Sequence, residues 1–218
     1  MPRKIKNIAI IDYGVGNLYS IKKALDKFGQ NTFITEEADK ISGADAVILP
    51  GVGSFKAGIE GLKIRNLLKP VKDFAKSGKP MLGICLGAQL MLGKGYEFGT
   101  FTGLNIIPGK VVKFRRLKEK VPHIGWNEIY GDKSKIKNQK SKWENTILDS
   151  IKENCDVYFV HSYLLQPNKK ENILSLTKYG KYEFCSAIKK NNIYGCQFHP
   201  EKSGLAGLKI LENFVNLI

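Results

Sequence analysis

Short apolar runs at residues 5–11, 45–49, 80–84 and 157–160 alternate with stretches at 17–28, 56–63, 66–77 and 204–217 whose apolar positions recur every three to four residues. The compact runs predict buried strands, and the longer period predicts amphipathic helices. Strands alternating with helices predict an α/β fold, a doubly wound, mostly parallel sheet with helices on both faces. The reason is that parallel neighbours need a crossover, and the crossover helix covers a face. The chain has 218 residues, 43% of them hydrophobic, and no repeat or low-complexity linker divides it. One domain, 1–218, with a sizeable core is expected. Sites in such sheets gather at the carboxyl ends of the strands. Gly51, Cys85 and His199 all fall there.

Cys85 lies in Gly83-Ile84-Cys85-Leu86-Gly87, between the strand at 80–84 and a helix opened by Leu86-Gly87-Ala88-Gln89-Leu90-Met91-Leu92. Strand, tight turn and helix predict a nucleophile elbow with sulfur in place of oxygen, its flanking glycines removing Cβ atoms that would clash as the chain reverses. The helix start behind the thiol favours a thiolate, and the Leu86 N–H is placed to bind an oxyanion. A second apolar strand runs out into Gln197-Phe198-His199-Pro200-Glu201. Side chains two apart on an extended chain point the same way, so His199 and Glu201 are expected to share a face. Pro200 stiffens that pair. A carboxylate on one imidazole nitrogen fixes the tautomer that lets the other accept the thiol proton. A buried structural cysteine and a surface His-Pro turn would read similarly one at a time. Their joint occurrence at two strand ends favours catalysis.

Together these segments resemble the two signatures of the class I, triad-type glutamine amidotransferases. The resemblance implies a glutaminase in which Cys85 attacks the side-chain amide of L-glutamine, with His199 and Glu201 completing the triad. Three more segments, Ile11-Asp12-Tyr13-Gly14-Val15-Gly16-Asn17-Leu18, Leu49-Pro50-Gly51-Val52-Gly53-Ser54-Phe55 and Val121-Pro122-His123-Ile124-Gly125-Trp126-Asn127, are similar to the glutaminase subunit of imidazole glycerol phosphate synthase. The match runs from about Ile5 to Ile218. It implies a (β/α)₈ cyclase partner that takes up the ammonia in histidine biosynthesis. Asn17, Pro122, His123, Trp126 and Asn127 resemble the family's interface and ammonia-gate positions, and Lys202 follows the triad in the usual place. A plain core aromatic is the other reading of Trp126. Tyr158 and Ser162 resemble positions lining the glutamine pocket, although a strand with alternating inward groups explains that run equally well. Gln89, one helical turn past the nucleophile, can reach the amino-acid head of the substrate.

The loop Pro50-Gly51-Val52-Gly53 follows a buried strand, and its glycines are expected to permit positive φ and reorientation of a peptide. The family implies that the peptide before or at Val52 turns to supply the second oxyanion N–H. Gly51 and Gly53 would then frame the substrate. An ordinary strand-to-helix loop is the competing reading. The Gly14-Val15-Gly16 stretch lacks the third glycine of a dinucleotide fingerprint, so a structural turn and partner contact is expected there.

Charge changes the picture little. The formal net charge is +15, yet Arg3, Arg65, Arg115 and Arg116 are the only arginines, and the other basic residues are lysines. Phosphate and base recognition favours the arginine fork, so a solvated lysine surface is expected rather than a nucleic-acid site. Gly131 to Trp143, with Lys133, Lys135, Lys137, Lys140 and Lys142, reads as an exposed loop. Cys85, Cys155, Cys185 and Cys196 include no C-x-x-C pair, so neither metal nor cofactor is expected. The absence of a signal-type segment or a long apolar stretch predicts a reducing, cytoplasmic setting and no membrane. Two features depart from the histidine-pathway pattern. Ala88 stands where a methionine is usual, and the run after Gln89 lacks an acidic, serine-rich character. They keep open a paralogous glutaminase that aminates a surface-polysaccharide sugar. A catalytically silent module is disfavoured by the intact triad, and a gamma-glutamyl hydrolase by the Pro50–Gly53 loop.

Overall fold

The computed structural model describes residues 5–115, 118–131 and 143–218. Its strands are β1 (Asn7–Ile11), β2 (Asn31–Thr35), β3 (Ala46–Leu49), β4 (Met81–Ile84), β5 (Lys94–Gly95), β6 (Phe101–Thr102), β7 (Gly109–Lys113), β8 (His123–Ile129), β9 (Cys155–His161), β10 (Tyr163–Pro167), β11 (Ile173–Tyr179), β12 (Tyr182–Lys190) and β13 (Ile193–Cys196). The helices are α1 (Leu18–Leu25), α2 (Ala38–Gly43), α3 (Phe55–Ile64), α4 (Leu68–Lys76), α5 (Leu86–Leu90) and α6 (Gly204–Asn216). The four apolar runs fall on β1, β3, β4 and β9, and the helical stretches on α1, α3, α4 and α6. The lysine-rich expectation for residues 131–143 falls almost wholly outside the described residues.

The main sheet runs β2-β1-β3-β4-β13-β12-β10-β7-β5-β6, with β11 paired to β12. From β2 to β13 every pairing is parallel. Period two sorts the strand residues between the faces. Ile8 and Ile10 join the core under α1 and α6, while Ala9 and Ile11 join the one under α2, α3 and α4. Helices therefore cover both faces of the parallel half. Beyond β13 the pairing turns antiparallel through β12, β10 and β7. Strands β10, β11, β12 and β13 follow one another through short turns without crossover helices, and the β8–β9 ribbon lies between β7 and β10 in the chain, which is why strand–helix alternation alone did not reveal this half.

The run at 157–160 does not enter the main sheet. It belongs to β9, which among the described residues pairs only with β8 in a separate antiparallel ribbon, His123 opposite His161 and Trp126 opposite Tyr158. Ile129, Val157 and Phe159 bury their side chains on the α6 side of the sheet.

Gly83 sets how closely β4 and α5 pack. A Cβ there would come within 2.8 Å of the Ala88 backbone and 2.9 Å of the Met91 methyl. Gly83→Ala is expected to cost roughly 1–3 kcal/mol through overpacking, whereas Gly43→Ala, with nothing within 4 Å of the added Cβ, serves as the near-neutral control. Urea unfolding of the two variants measures the contrast.

Candidate active site

β4 ends at Ile84 and the chain reverses at Cys85, which takes φ 52° and ψ −108° before α5 begins. A non-glycine residue is strained there by about 1–3 kcal/mol, and only its surroundings keep it in place. Cys85 donates its N–H to Cys196 O at 2.7 Å, and its carbonyl accepts from Gln89 N at 3.1 Å. Behind it Gly87 lies so close to Leu49 that a Cβ would overlap the Leu49 carbonyl. The two expected glycines are thus required by contact with neighbouring backbone, and the positive φ belongs to the cysteine.

β13, the parallel neighbour of β4, leads to His199. The His199 N–H donates to Tyr158 O at 2.9 Å, and its carbonyl accepts from Ser203 Oγ at 2.6 Å. Pro200 then opens a 3₁₀ turn, Pro200–Lys202, that folds Glu201 back onto the imidazole. The pair meets through this turn, not along an extended strand. His199 Nδ1 donates to Glu201 Oε1 at 2.8 Å, because a carboxylate only accepts. The buried Nε2 has no hydrogen-bond partner in this geometry. Burial opposes the imidazolium, yet Cys85 and Glu201 outweigh it and push the His199 pKa up to about 10. That balance favours the protonated imidazole.

Cys85 and His199 line a cleft of about 240 Å³ together with Val52, Gly53, Leu86, Gln89, Glu97, Pro122, Val160, His161, Ser162 and Tyr163. Of the residues expected at the substrate, Gly53, Gln89 and Ser162 reach this wall. Gln89 spends its amide N–H groups on Tyr163 O at 3.3 Å and Gln197 Oε1 at 3.1 Å, leaving its carbonyl oxygen to offer a ligand. Tyr158 is not on the wall. It packs edge-on to Trp126 at 5.9 Å, and Lys202 Nζ sits 5.9 Å above its ring. Its contribution to the site is the backbone carbonyl that holds His199.

The Leu86 N–H does not point into an empty oxyanion site. It donates to Gly51 O at 3.3 Å, so the carbonyl of the Gly51–Val52 peptide occupies the place of an oxyanion. The preceding carbonyl, Pro50 O, is held by the buried Tyr13 hydroxyl. Only Gly53 of the loop has a positive φ, 103°. The expectation for Gly51 is corrected to one of space, since a Cβ there would overlap the Tyr13 hydroxyl and come within 2.9 Å of Leu86 Cβ.

The expected partner residues divide. Asn17 is exposed and caps α1, its side chain accepting from Ser20 N at 3.3 Å. Pro122 lines the cleft itself. Trp126 is 55% exposed, which removes the core-aromatic reading, and Ile124 beside it is 60% exposed. His123 is not a surface residue. It is 2% exposed, stacked on Tyr179 and hydrogen-bonded to His161. Asn127 donates to Lys178 O at 2.7 Å on the edge of the ribbon.

Sequence reasoning passed over Glu97 and Gln197. Among the described residues Glu97 is the one carboxylate on the cleft wall, and its Oε2 accepts from Phe55 N at 2.6 Å at the start of α3. A lone glutamate in a glycine-bounded loop gives no signal of its own. Among the described residues no group of three or more His, Cys, Asp or Glu is arranged to hold a metal, and no helix is long and apolar enough to cross a membrane.

Residues 9–217 match the family described as glutamine amidotransferase class-I. The chain is 43% identical over 218 residues to imidazole glycerol phosphate synthase subunit HisH 1 of Legionella pneumophila, strain Lens, covering 98% of this chain and 100% of that one. It is 46% identical over 211 residues to subunit HisH of Archaeoglobus fulgidus, covering 97% and 98%. PurLQS from Thermotoga maritima superposes with a TM-score of 0.71 at 16% identity, over 98% of this chain and 99% of that one, a likeness of fold. A crystal structure of a glutamine amidotransferase gives 0.71 at 13% identity, over 96% and 97%. The chain belongs to the class I glutamine amidotransferases, and within them to the HisH subunits of imidazole glycerol phosphate synthase.

The histidines set opposite pH limits on stability. Burial lowers the pKa of His123 to about 4 and of His161 to about 3. The unfolded chain therefore takes up protons on them below its own pKa near 6.5 while the folded chain does not, and stability falls as pH drops from about 6.5 towards 4. His199 has the reverse sign. Its folded pKa is raised, so its contribution is fully present below about 6.5 and is lost as pH rises towards 10. Urea midpoints at acid, neutral and alkaline pH are expected to show both slopes. His161→Gln should flatten the acid slope and His199→Gln the alkaline one.

Proposed function

We propose that this glutaminase works through Cys85, His199 and Glu201 and is held switched off by its own backbone until a synthase subunit docks. The observation that carries the proposal is the Leu86 N–H bonded to Gly51 O beside a complete Cys-His-Glu set. The cleft suits L-glutamine. Glu97 offers a carboxylate to the α-ammonium group, Gln89 an oxygen to the same head, and the thiol lies at the far end for the side-chain amide. Thiolate addition to the carboxamide carbon puts negative charge on its oxygen. The intermediate collapses by breaking the C–N bond, His199 giving its proton to the departing ammonia. Water, deprotonated by His199, then cleaves the thioester, releasing glutamate and regenerating Cys85.

The oxyanion needs the Leu86 N–H, and that donor is occupied. Turning the Gly51–Val52 peptide removes the Gly51 carbonyl and presents the Val52 N–H, so one rotation frees one donor and adds another. Each donor is worth roughly 10²–10³ in rate. The Tyr13 hydroxyl on Pro50 O confines the turn to this one peptide. Gly14 and Asn17, in the loop that follows Tyr13, and the exposed Ile124 and Trp126 of the ribbon offer a surface to the (β/α)₈ cyclase, which receives the ammonia for imidazole glycerol phosphate formation. The HisH relatives favour this acceptor over a sugar.

Glutamate release is to be compared for the chain alone, with cyclase, and with cyclase plus its nucleotide. The isolated chain is expected to be slower by roughly 10²-fold or more. Equal rates in all three would overturn the switch. Cys85→Ala is expected to abolish glutamine-dependent turnover while added ammonium still supports the cyclase, with Glu201→Gln milder. Gly53→Ala, strained at its positive φ without a clash, is expected to reduce activation more than glutamine binding.

A further inference from the structure

Cys85 is approached by a second buried polar network, on which the triad makes no demand. Gln197 is fully buried, and its Nε2 lies 3.7 Å from Cys85 Sγ. Its Oε1 accepts from Gln89 Nε2 at 3.1 Å, and the same Gln89 nitrogen donates to Tyr163 O at 3.3 Å. Tyr163 O also accepts from His161 Nδ1 at 2.9 Å, and His161 Nε2 meets His123 Nδ1 at 3.1 Å. Asn127 Nδ2 reaches His123 Nε2 at 3.5 Å.

The direction of every bond follows from one group. Tyr163 O is a carbonyl and only accepts, so the Gln89 atom beside it is the amide nitrogen. That nitrogen needs an acceptor in Gln197, which puts Oε1 there and turns the Gln197 N–H towards the sulfur. The same carbonyl fixes His161 as the Nδ1–H tautomer, whose Nε2 accepts from His123. The resting thiol has its own acceptor, Val160 O at 3.8 Å. Once the proton has passed to His199, that bond is gone and the Gln197 N–H faces a charged sulfur.

We infer that Gln197 is a further catalytic residue, an N–H donor that holds the Cys85 thiolate in line with the substrate carbon. A long N–H···S contact strengthens when its acceptor becomes charged. The same donor serves the second half-reaction, where the C–S bond breaks and sulfur departs with the electron pair. Gln89, Tyr163, His161 and His123 act through Gln197 and keep its amide from turning over. The inference rests on Cys85 as nucleophile.

The test uses the chain in complex with its cyclase subunit and nucleotide, with iodoacetamide as the probe of the sulfur at one neutral pH, read by mass spectrometry of the Cys85 peptide. A hydrogen bond to a charged group is worth enough for roughly a tenfold effect or more. Gln197→Leu is expected to alkylate about tenfold more slowly and to lose a similar factor in kcat, with KM for glutamine changed by less than about twofold. A folded Gln197→Leu variant with wild-type alkylation overturns the assignment, and so does a rise in KM alone, which would make Gln197 part of the substrate wall. If that variant does not fold, the isosteric Gln197→Glu sets an acceptor against the sulfur. It must alkylate at least as slowly, and a wild-type rate refutes the inference. Cys85→Ala separates the two assignments: glutamine hydrolysis surviving in it would remove the nucleophile, whereas loss there with normal Gln197 variants removes only the N–H donor.

Discussion

Everything at the site depends on one backbone conformation, the left-handed φ of Cys85 between β4 and α5. A cysteine does not hold φ 52° and ψ −108° unaided. It is kept there because its N–H is committed to Cys196 O and its carbonyl to Gln89 N, while Gly83 and Gly87 let Ala88 and Leu49 press against the turn. That pressure brings three things within reach of one sulfur: the imidazole from the end of β13, the Leu86 N–H at the start of α5, and the Gln197 amide. A relaxed turn would lose all three together.

In the proposed switch, the resting bond between Gly51 and Leu86 is what keeps the site from wasting glutamine. A buried N–H left without an acceptor carries a penalty, so the closed state satisfies the catalytic donor with a carbonyl of the chain itself. Opening exchanges this internal acceptor for the oxyanion of the substrate. The exchange is favourable only when substrate charge develops, or when a partner stabilises the turned peptide. Tyr13 joins the loop after β1, proposed to face the partner, to the peptide just before the proposed switch, and the β8–β9 ribbon joins the exposed Trp126 to the cleft wall through His123 and His161. Both surfaces expected to meet a synthase therefore have a mechanical route to Cys85.

Much of this was legible in the chain. The elbow, the His-x-Glu pair, the parallel half of the sheet and the glycine-bounded loop were all present as local patterns, because each is set by neighbours in sequence. What was not legible depends on distant segments. Strands β10 to β13 have no crossover helices between them, so they merge into an unpunctuated stretch, and β9 looks like any buried strand until its pairing with β8 is known. Glu97 becomes a cleft residue only because α3 packs beside its loop. Gln197 reads in the sequence only as part of a motif, since the sulfur it faces is far away along the chain. The sequence neighbours of His123 point to the partner side, yet period two on β8 turns it inward while Ile124 faces out. Glycines 51 and 53 looked equivalent and are not. One answers to space, the other to φ.

The most direct test of the account is covalent trapping by a glutamine analogue that carries an electrophilic ketone in place of the side-chain amide, with adducts located by mass spectrometry on the complex with the cyclase. The account predicts one adduct per chain, on Cys85, formed faster with the partner and nucleotide present than without them, and strongly slowed in His199→Asn. Labelling spread over Cys155, Cys185 or Cys196, or a Cys85 adduct whose rate ignores both His199 and the partner, would contradict it.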